Sequence, residues 1–173
     1  YYLTNDILNN SERHPTFIKS NNNELSLVFG LNLDESGEEL YTMDWPSLDV
    51  KKLINSKMYG SIPKVLQADI FFAGNDLPNK QPDLYQFNNN TKIIKQLTNS
   101  NWEEWRPVPD SMDNLFFISN QNGNFDVYKM NLLNNEIEVV YSSPYDEWDP
   151  AISKNNRFLL FASKQNNNWD VFV

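Results

Sequence analysis

One short pattern, an acidic residue followed by an apolar and then an aromatic residue, occurs four times along the chain. It reads ELYTM at 39–43, DLYQF at 83–87, DVYKM at 126–130 and DVFV at 170–173. The acidic residues stand at 39, 83, 126 and 170, so the steps between them are 44, 43 and 44 residues. A repeat of this length with several short strands in each unit is typical of β-propeller blades.

Three further markers keep the same spacing. Prolines stand at 15, 63, 107 and 150, and apolar runs read LVFG at 27–30, IFFA at 70–73, LFFIS at 115–119 and LLFAS at 159–163. Closing segments read KLI at 52–54, QLT at 96–98 and VVY at 139–141. Because independent markers stay in phase, the sequence predicts four copies of one structural unit.

Each copy reads as four short strands. In the third copy these are 106–109, 114–119, 125–131 and 136–141, and Asn122-Gly123 predicts a two-residue type I′ hairpin turn. The apolar second strand predicts a sheet covered on both faces, as in stacked blades. We therefore predict an all-β propeller of four blades, each with four antiparallel strands.

The chain ends are predicted to complete the ring. Residues 1–4 (YYLT) resemble 95–98 (KQLT), while the last copy lacks a fourth strand. We predict one domain, 1–173, with blades near 11–55, 56–99, 102–142 and 145–173, the last completed by residues 1–4. Such pairing removes an open sheet edge. The alternative is that the four blades form part of a larger ring.

Composition restricts the partners. The 173 residues carry a formal net charge of −9, which argues against nucleic acid and anionic membrane surfaces. The absence of cysteine excludes disulfides and thiolate metal sites. No apolar run is long enough to span a membrane, so no membrane insertion is predicted. Because the chain starts at Tyr1 rather than Met, we expect a processed product that has lost a signal peptide.

The repeat resembles a known family. The segments that carry the likeness are EWRP at 104–107, FIS at 117–119, NGN at 122–124, DVYKMN at 126–131 and LT at 97–98. They resemble the TolB-type propeller repeat, a WD-like repeat of bacterial envelope proteins. The resemblance implies a periplasmic or extracellular setting and a protein partner. The usual Ser-Pro-Asp-Gly turn is degenerate here, and these 173 residues show no sign of the small α/β domain that such a resemblance would lead one to expect.

Catalytic chemistry is sparse in the sequence. The chain has one histidine, His14, and it has neither a G-x-S-x-G motif nor a glycine-rich phosphate loop. A nucleophilic triad needs a base beside the nucleophile. The sequence therefore predicts no catalytic residues and a protein that is not an enzyme.

Carboxylates recur at the start of the blades. Glu12, Glu104 and Glu147 each stand three residues before a repeat proline. Repeat symmetry would gather them around the axis, where close like charges require a cation or an arginine. One prediction is a Ca²⁺ or other cation site formed by these three residues in the axial channel. The alternative is a solvated rim in which Arg13 and Arg106 pair with the acids.

Aromatic side chains suggest a second surface. Trp105 and Trp148 occupy equivalent positions, which predicts packing between blades, whereas Trp102 lies outside that spacing. Aromatic rims bind proteins or sugars. The predicted binding residues of the channel mouth and rim are Glu12, Arg13, His14, Tyr59, Trp102, Glu103, Glu104, Arg106, Tyr145, Asp146, Glu147 and Asp149. The predicted function is a binding or scaffolding propeller for a protein partner. The alternatives are a carbohydrate-binding propeller and a cation-binding propeller.

Overall fold

A computed structural model of the chain describes residues 11–19, 24–32, 37–54, 58–76 and 80–173. These residues form fifteen strands and contain no helix. The first sheet holds β1 (Ser11–Lys19), β2 (Leu25–Asn32), β3 (Glu38–Asp44) and β4 (Val50–Lys52). The second holds β5 (Tyr59–Leu66), β6 (Asp69–Asn75), β7 (Asp83–Asn88) and β8 (Ile94–Gln96).

The two remaining sheets repeat this plan. The third sheet holds β9 (Glu104–Pro109), β10 (Asn114–Ser119), β11 (Asp126–Asn131) and β12 (Ile137–Tyr141). The fourth holds β13 (Glu147–Ile152), β14 (Leu159–Gln165) and β15 (Asn168–Phe172). Every sheet is an antiparallel meander in chain order.

The sheets stack as blades around an axis. The first strands of successive blades contact each other, β1 with β5, β5 with β9 and β9 with β13. The prediction of an all-β propeller with four blades is therefore confirmed. Among the described strands, those of the fourth blade contact the third blade and not the first. The predicted closure by residues 1–4 lies outside the described residues.

Each blade carries one stacked aromatic pair at the same place in its sheet. The pairs join the second and third strands, with ring centroids 5.5–6.4 Å apart, and are Phe29–Tyr41, Phe72–Tyr85, Phe117–Tyr128 and Phe161–Phe172. We call the sheet face with this pair the trailing face and the opposite one the leading face. Side chains alternate along a strand, so the repeat assigns residues to one face or the other.

The core lies between blades, where a leading face packs on the trailing face of the next blade. Between the second and third blades, Phe71, Ala73 and Leu84 pack against Phe117 and Tyr128. The first and second blades are joined in the same way by one buried cluster, and the third and fourth by another. The apolar second strands of the first three blades therefore have both faces covered, as the sequence predicts.

The first strand of every blade bends at a bulge. His14, Ile62, Arg106 and Asp149 have φ of 52°, 56°, 57° and 50°, and each stands directly before a repeat proline. The strand pairing shifts at the same place in all four sheets. Positive φ is unfavourable for residues with a side chain, so its fourfold recurrence marks a structural requirement of the repeat.

The hairpin turns differ in part from prediction. Asn122-Gly123 does not form a two-residue type I′ turn, because only Gly123 has positive φ and the strands pair from Ser119 to Asp126. That turn geometry occurs instead at Asn166-Asn167, with φ of 51° and 64° between paired Gln165 and Asn168. Residues 120–125 instead form a six-residue loop, and this loop contacts the loop that begins the fourth blade.

Candidate binding site at the channel and its rim

The four bulge residues converge on the axis. His14, Ile62, Arg106 and Asp149, with the adjoining prolines of three blades, line a cavity of about 250 Å³. Arg106 Nε lies 3.2 Å from Asp149 Oδ1, and its guanidinium stands 5.6 Å from the centre of the Trp148 ring. His14 Nδ1 lies 3.3 Å from Glu38 Oε1. His14, Arg106 and Asp149 are thus each held by a charged partner.

The three predicted cation ligands have different surroundings. Glu12 is exposed, whereas Glu104 and Glu147 are buried between blades. Thr98 Oγ1 donates a hydrogen bond to Glu104 Oε2. Glu147 Oε1 accepts hydrogen bonds from Ser143 Oγ at 2.6 Å and Ser163 Oγ at 3.1 Å.

The described part of the chain contains no group of three His, Asp or Glu side chains placed to hold a metal ion. Glu104 instead joins the start of the third blade to the end of the second, whereas Glu147 is bonded within the fourth blade and the loop that leads into it. A cation site in the channel stays a prediction. A rise in Tm on adding calcium would support it, because a ligand of the native state stabilises that state.

Burial governs the charge of these two glutamates. Loss of hydration raises the pKa of Glu104 and of Glu147, and the nearby carboxylates of Asp83 and Asp126 raise them further. In addition, Glu147 Oε2 is buried without a hydrogen-bond partner among the described residues. Burial therefore penalises the carboxylate form at both positions relative to the same side chain in water.

Glutamine at both positions is expected to stabilise the protein at alkaline pH. The pKa of both glutamates is higher in the folded state than in the unfolded state. The protonated acids therefore make their whole contribution to stability at any pH below the unfolded-state pKa. That stability is lost as pH rises through the folded pKa. The variant Glu104→Gln, Glu147→Gln should gain about 1–2 kcal/mol at pH 8 and nothing at pH 4, measured by urea unfolding. The matched control is Glu12→Gln, an exposed residue at the equivalent position; an equal gain there would contradict the assignment.

Two loops of the same design lead into the third and fourth blades. Residues 100–105 read SNWEEW and residues 143–148 read SPYDEW. We call residues 100–103 and 143–146 the rim loops. Ser100 Oγ accepts a 3.1 Å hydrogen bond from Trp102 N, and Ser143 Oγ accepts one of 3.1 Å from Tyr145 N. Trp102 and Tyr145 are both exposed.

The acidic residue beside each exposed ring is fixed as well. Glu103 Oε2 accepts a 3.0 Å hydrogen bond from Trp105 Nε1, and Glu103 N donates to Asn120 Oδ1 at 2.9 Å. Asp146 Oδ1 accepts a 3.1 Å bond from Phe125 N. Both loops lead into first strands, so they lie at the same end of the channel. The rim therefore presents two ordered pairs, each an exposed aromatic ring next to an acid.

The structure corrects the interpretation of Trp102. That residue is not outside the repeat, because it stands two residues before Glu104 just as Tyr145 stands two before Glu147. Aligning the loops on the buried glutamates, rather than on the tryptophans that follow, would have found this equivalence. Of the other predicted residues, Arg13 is exposed, and Tyr59 lines a cavity of about 500 Å³ together with Trp105 and Gly60.

Comparisons with known proteins agree on the fold. No protein-family profile and no curated protein matches the sequence. Among solved structures, TolB from Acinetobacter baumannii superposes with a TM-score of 0.71 at 16% identity, covering 91% of this chain and 39% of that one. A puromycin hydrolase superposes with a TM-score of 0.71 at 13% identity, over 93% of this chain and 26% of that one.

An oligogalacturonate lyase in complex with manganese superposes with a TM-score of 0.71 at 10% identity, over 93% of this chain and 47% of the lyase. The chain thus spans about a quarter to a half of the solved structures that it matches. The described residues include no helix that is long and apolar enough to cross a membrane.

These likenesses correct one prediction. The sequence-based conclusion that the protein is not an enzyme was wrong, because the same fold occurs in a hydrolase and in a lyase. A propeller with one histidine therefore gives no ground for excluding catalysis. At such low identities the superpositions establish architecture alone. The chain is a β-propeller whose fold matches the part of TolB on which it superposes.

Proposed function

We propose that this chain is a propeller scaffold that binds a protein partner through its rim loops. The observation that carries the proposal is the repeated display of an exposed aromatic ring, Trp102 or Tyr145, beside an acid. Aromatic side chains that lie on a rigid support are the residues that most often dominate protein interfaces. The serine hydrogen bonds hold both loops in place, so little entropy would be lost on binding.

The charge of the rim specifies the kind of partner. Glu103 and Asp146 flank the two exposed rings, and the whole chain carries a net charge of −9. A partner surface with Lys or Arg around an apolar centre would complement this rim and would be steered toward it. The likeness to TolB supports a bacterial envelope setting, periplasmic or extracellular, as the place to look for the partner.

Removal of both rings should abolish specific binding. The variant Trp102→Ala, Tyr145→Ala is expected to weaken capture of an envelope protein at least ~10-fold, since interface aromatics are frequent hot spots. Binding measured by surface plasmon resonance should also fall with added salt. The control is Trp45→Ala, an exposed tryptophan in the first blade. A double variant that binds as well as the wild type would refute the proposal.

A second candidate function is carbohydrate binding in the cavity beside the rim. This cavity of about 500 Å³ combines the rings of Tyr59 and Trp105 with Asn75 and Ser61. Sugars are bound by aromatic faces together with hydrogen-bonding groups, and Asn75 Oδ1 is buried without a partner among the described residues. A glycan array that gives no hit, or hits unaffected by Tyr59→Ala, would eliminate this function.

A further inference from the structure

The leading faces of the four blades carry equivalent apolar residues with very different exposure. The residue after the repeat acid is Leu40, Leu84, Val127 and Val171 in the four blades, and its exposed fraction is 2%, 0%, 0% and 74%. A second row, on the neighbouring strand of the same face, is Val28, Phe71, Phe116 and Leu160, at 0%, 1%, 9% and 37%. The fourth blade has the same face as the others, but it is open.

The open face is continuous across three strands. Val171 on β15 is paired with Ala162 on β14, and Leu160 on β14 is paired with Ala151 on β13. Paired residues of an antiparallel sheet share a face. The fourth blade therefore presents a contiguous apolar surface of the kind that elsewhere in this molecule forms the core.

The other interfaces show what fits such a face. In the second blade a small residue, Ala73, lies between Phe71 and Leu84, and the stacked rings of Phe117 and Tyr128 in the next blade pack there. The fourth blade repeats this profile, with Ala162 between Leu160 and Val171. The leading face of the fourth blade therefore matches the same kind of occupant as that of the second blade, both in shape and in polarity. Close packing depends on side-chain volume, and the two faces have the same sequence of large and small side chains.

We propose that the leading face of the fourth blade is a docking surface for one further blade of this repeat, whose trailing face presents a stacked aromatic pair. The occupant is argued from continuity, since blades occupy the equivalent face at all three internal interfaces. This surface is separate from the rim loops, so the inference does not depend on the proposed function.

The absence of cysteine allows a direct test with a single thiol. Val171→Cys places a thiol on the open face, and Val127→Cys places one at the equivalent buried position of the third blade. In the chain itself, the thiol at position 171 should react with a soluble maleimide at the rate of a free thiol. The thiol at position 127 should react at least ~100-fold more slowly, because its reaction requires opening of the interface.

An added blade should then protect position 171. Val173 is equivalent to Lys129, so a copy of residues 130–173 joined after Val173 continues the repeat in phase and supplies a fifth blade. In the extended chain, labelling at position 171 should slow at least ~10-fold. Serine in place of Phe161 and Phe172 within the added copy should restore fast labelling, while slow labelling at position 127 shows that the original blades remain folded.

A second copy of the chain provides another arm of the test. Labelling at position 171 that slows with rising concentration of the unextended chain would show that a second copy covers this face, and it would count against a further blade as the occupant, because the trailing face of the first blade is already buried. Sedimentation velocity would then show a dimer. Labelling at the free rate in the extended chain and at every concentration would overturn the proposal.

Discussion

Replacing Phe117 by alanine is expected to lower the free energy of unfolding by about 3–5 kcal/mol, the usual cost of removing a fully buried ring. Phe117 is 1% exposed and stacks on Tyr128 with ring centroids 5.7 Å apart. It also packs against Ala73 and Leu84 of the preceding blade, so its loss leaves a cavity between two blades. Urea unfolding followed by circular dichroism measures the change.

The matched control is Phe17→Ala. Phe17 lies on a strand of the same repeat but is exposed, so its removal should cost less than about 1 kcal/mol. A similar loss of unfolding free energy at the two positions would show that packing between blades is not what stabilises the propeller. A loss near zero at Phe117 would show the same.

Replacing Asp83 by alanine is expected to cost about 2–3 kcal/mol, because it removes the buried acceptor of a backbone N–H, an amide and a partly solvated ammonium. Asp83 is fully buried, and its Oδ2 lies 2.6 Å from Lys80 Nζ and accepts a bond from Gln96 Nε2 at 2.9 Å. Its Oδ1 accepts a 3.0 Å bond from Ser100 N. The carboxylate thus ties a strand of the second blade to the rim loop of the third.

The control for this effect is a surface ion pair. Asp44 Oδ2 lies 2.8 Å from Lys51 Nζ, and both side chains are largely solvated. Asp44→Ala should therefore cost less than about 1 kcal/mol. Asp83→Ala should in addition weaken partner binding at the rim, because Ser100 would lose the acceptor that positions its loop. Equal destabilisation by the two variants would contradict the role assigned to Asp83.

Much of the fold could be predicted because the repeat is local. The acid at 39, 83, 126 and 170 sets the phase, and alternation along the strands then assigns the next two residues to opposite faces. The rings at Tyr85 and Tyr128 are therefore trailing-face residues, and the apolar residues before them are leading-face residues. Turn geometry was harder, because Asn122-Gly123 has the composition of a short turn but lies in a longer loop.

The candidate site was less predictable. Residue type near the blade entries singled out Trp102, Glu103, Tyr145 and Asp146, although Trp102 was placed outside the repeat spacing. Their arrangement depends on hydrogen bonds to residues far away in sequence. Asn120 binds one rim loop, and Phe125 binds the other. Such contacts produce no periodic pattern in the amino-acid sequence. Catalysis was judged from missing residue types, and that judgement failed because one fold hosts several chemistries.

The sequence by itself determined the four blades, the face on which each apolar residue lies and the acidic, aromatic character of the rim, because these follow from a short-range pattern repeated in phase. Only the tertiary structure determined which of the equivalent residues are exposed to solvent. Glu12 is exposed where Glu104 and Glu147 are buried, and Val171 is open where Val127 is covered. Local sequence is nearly the same at these positions. Burial differs because it depends on whether another blade packs against the residue, and that is a property of neighbours in space.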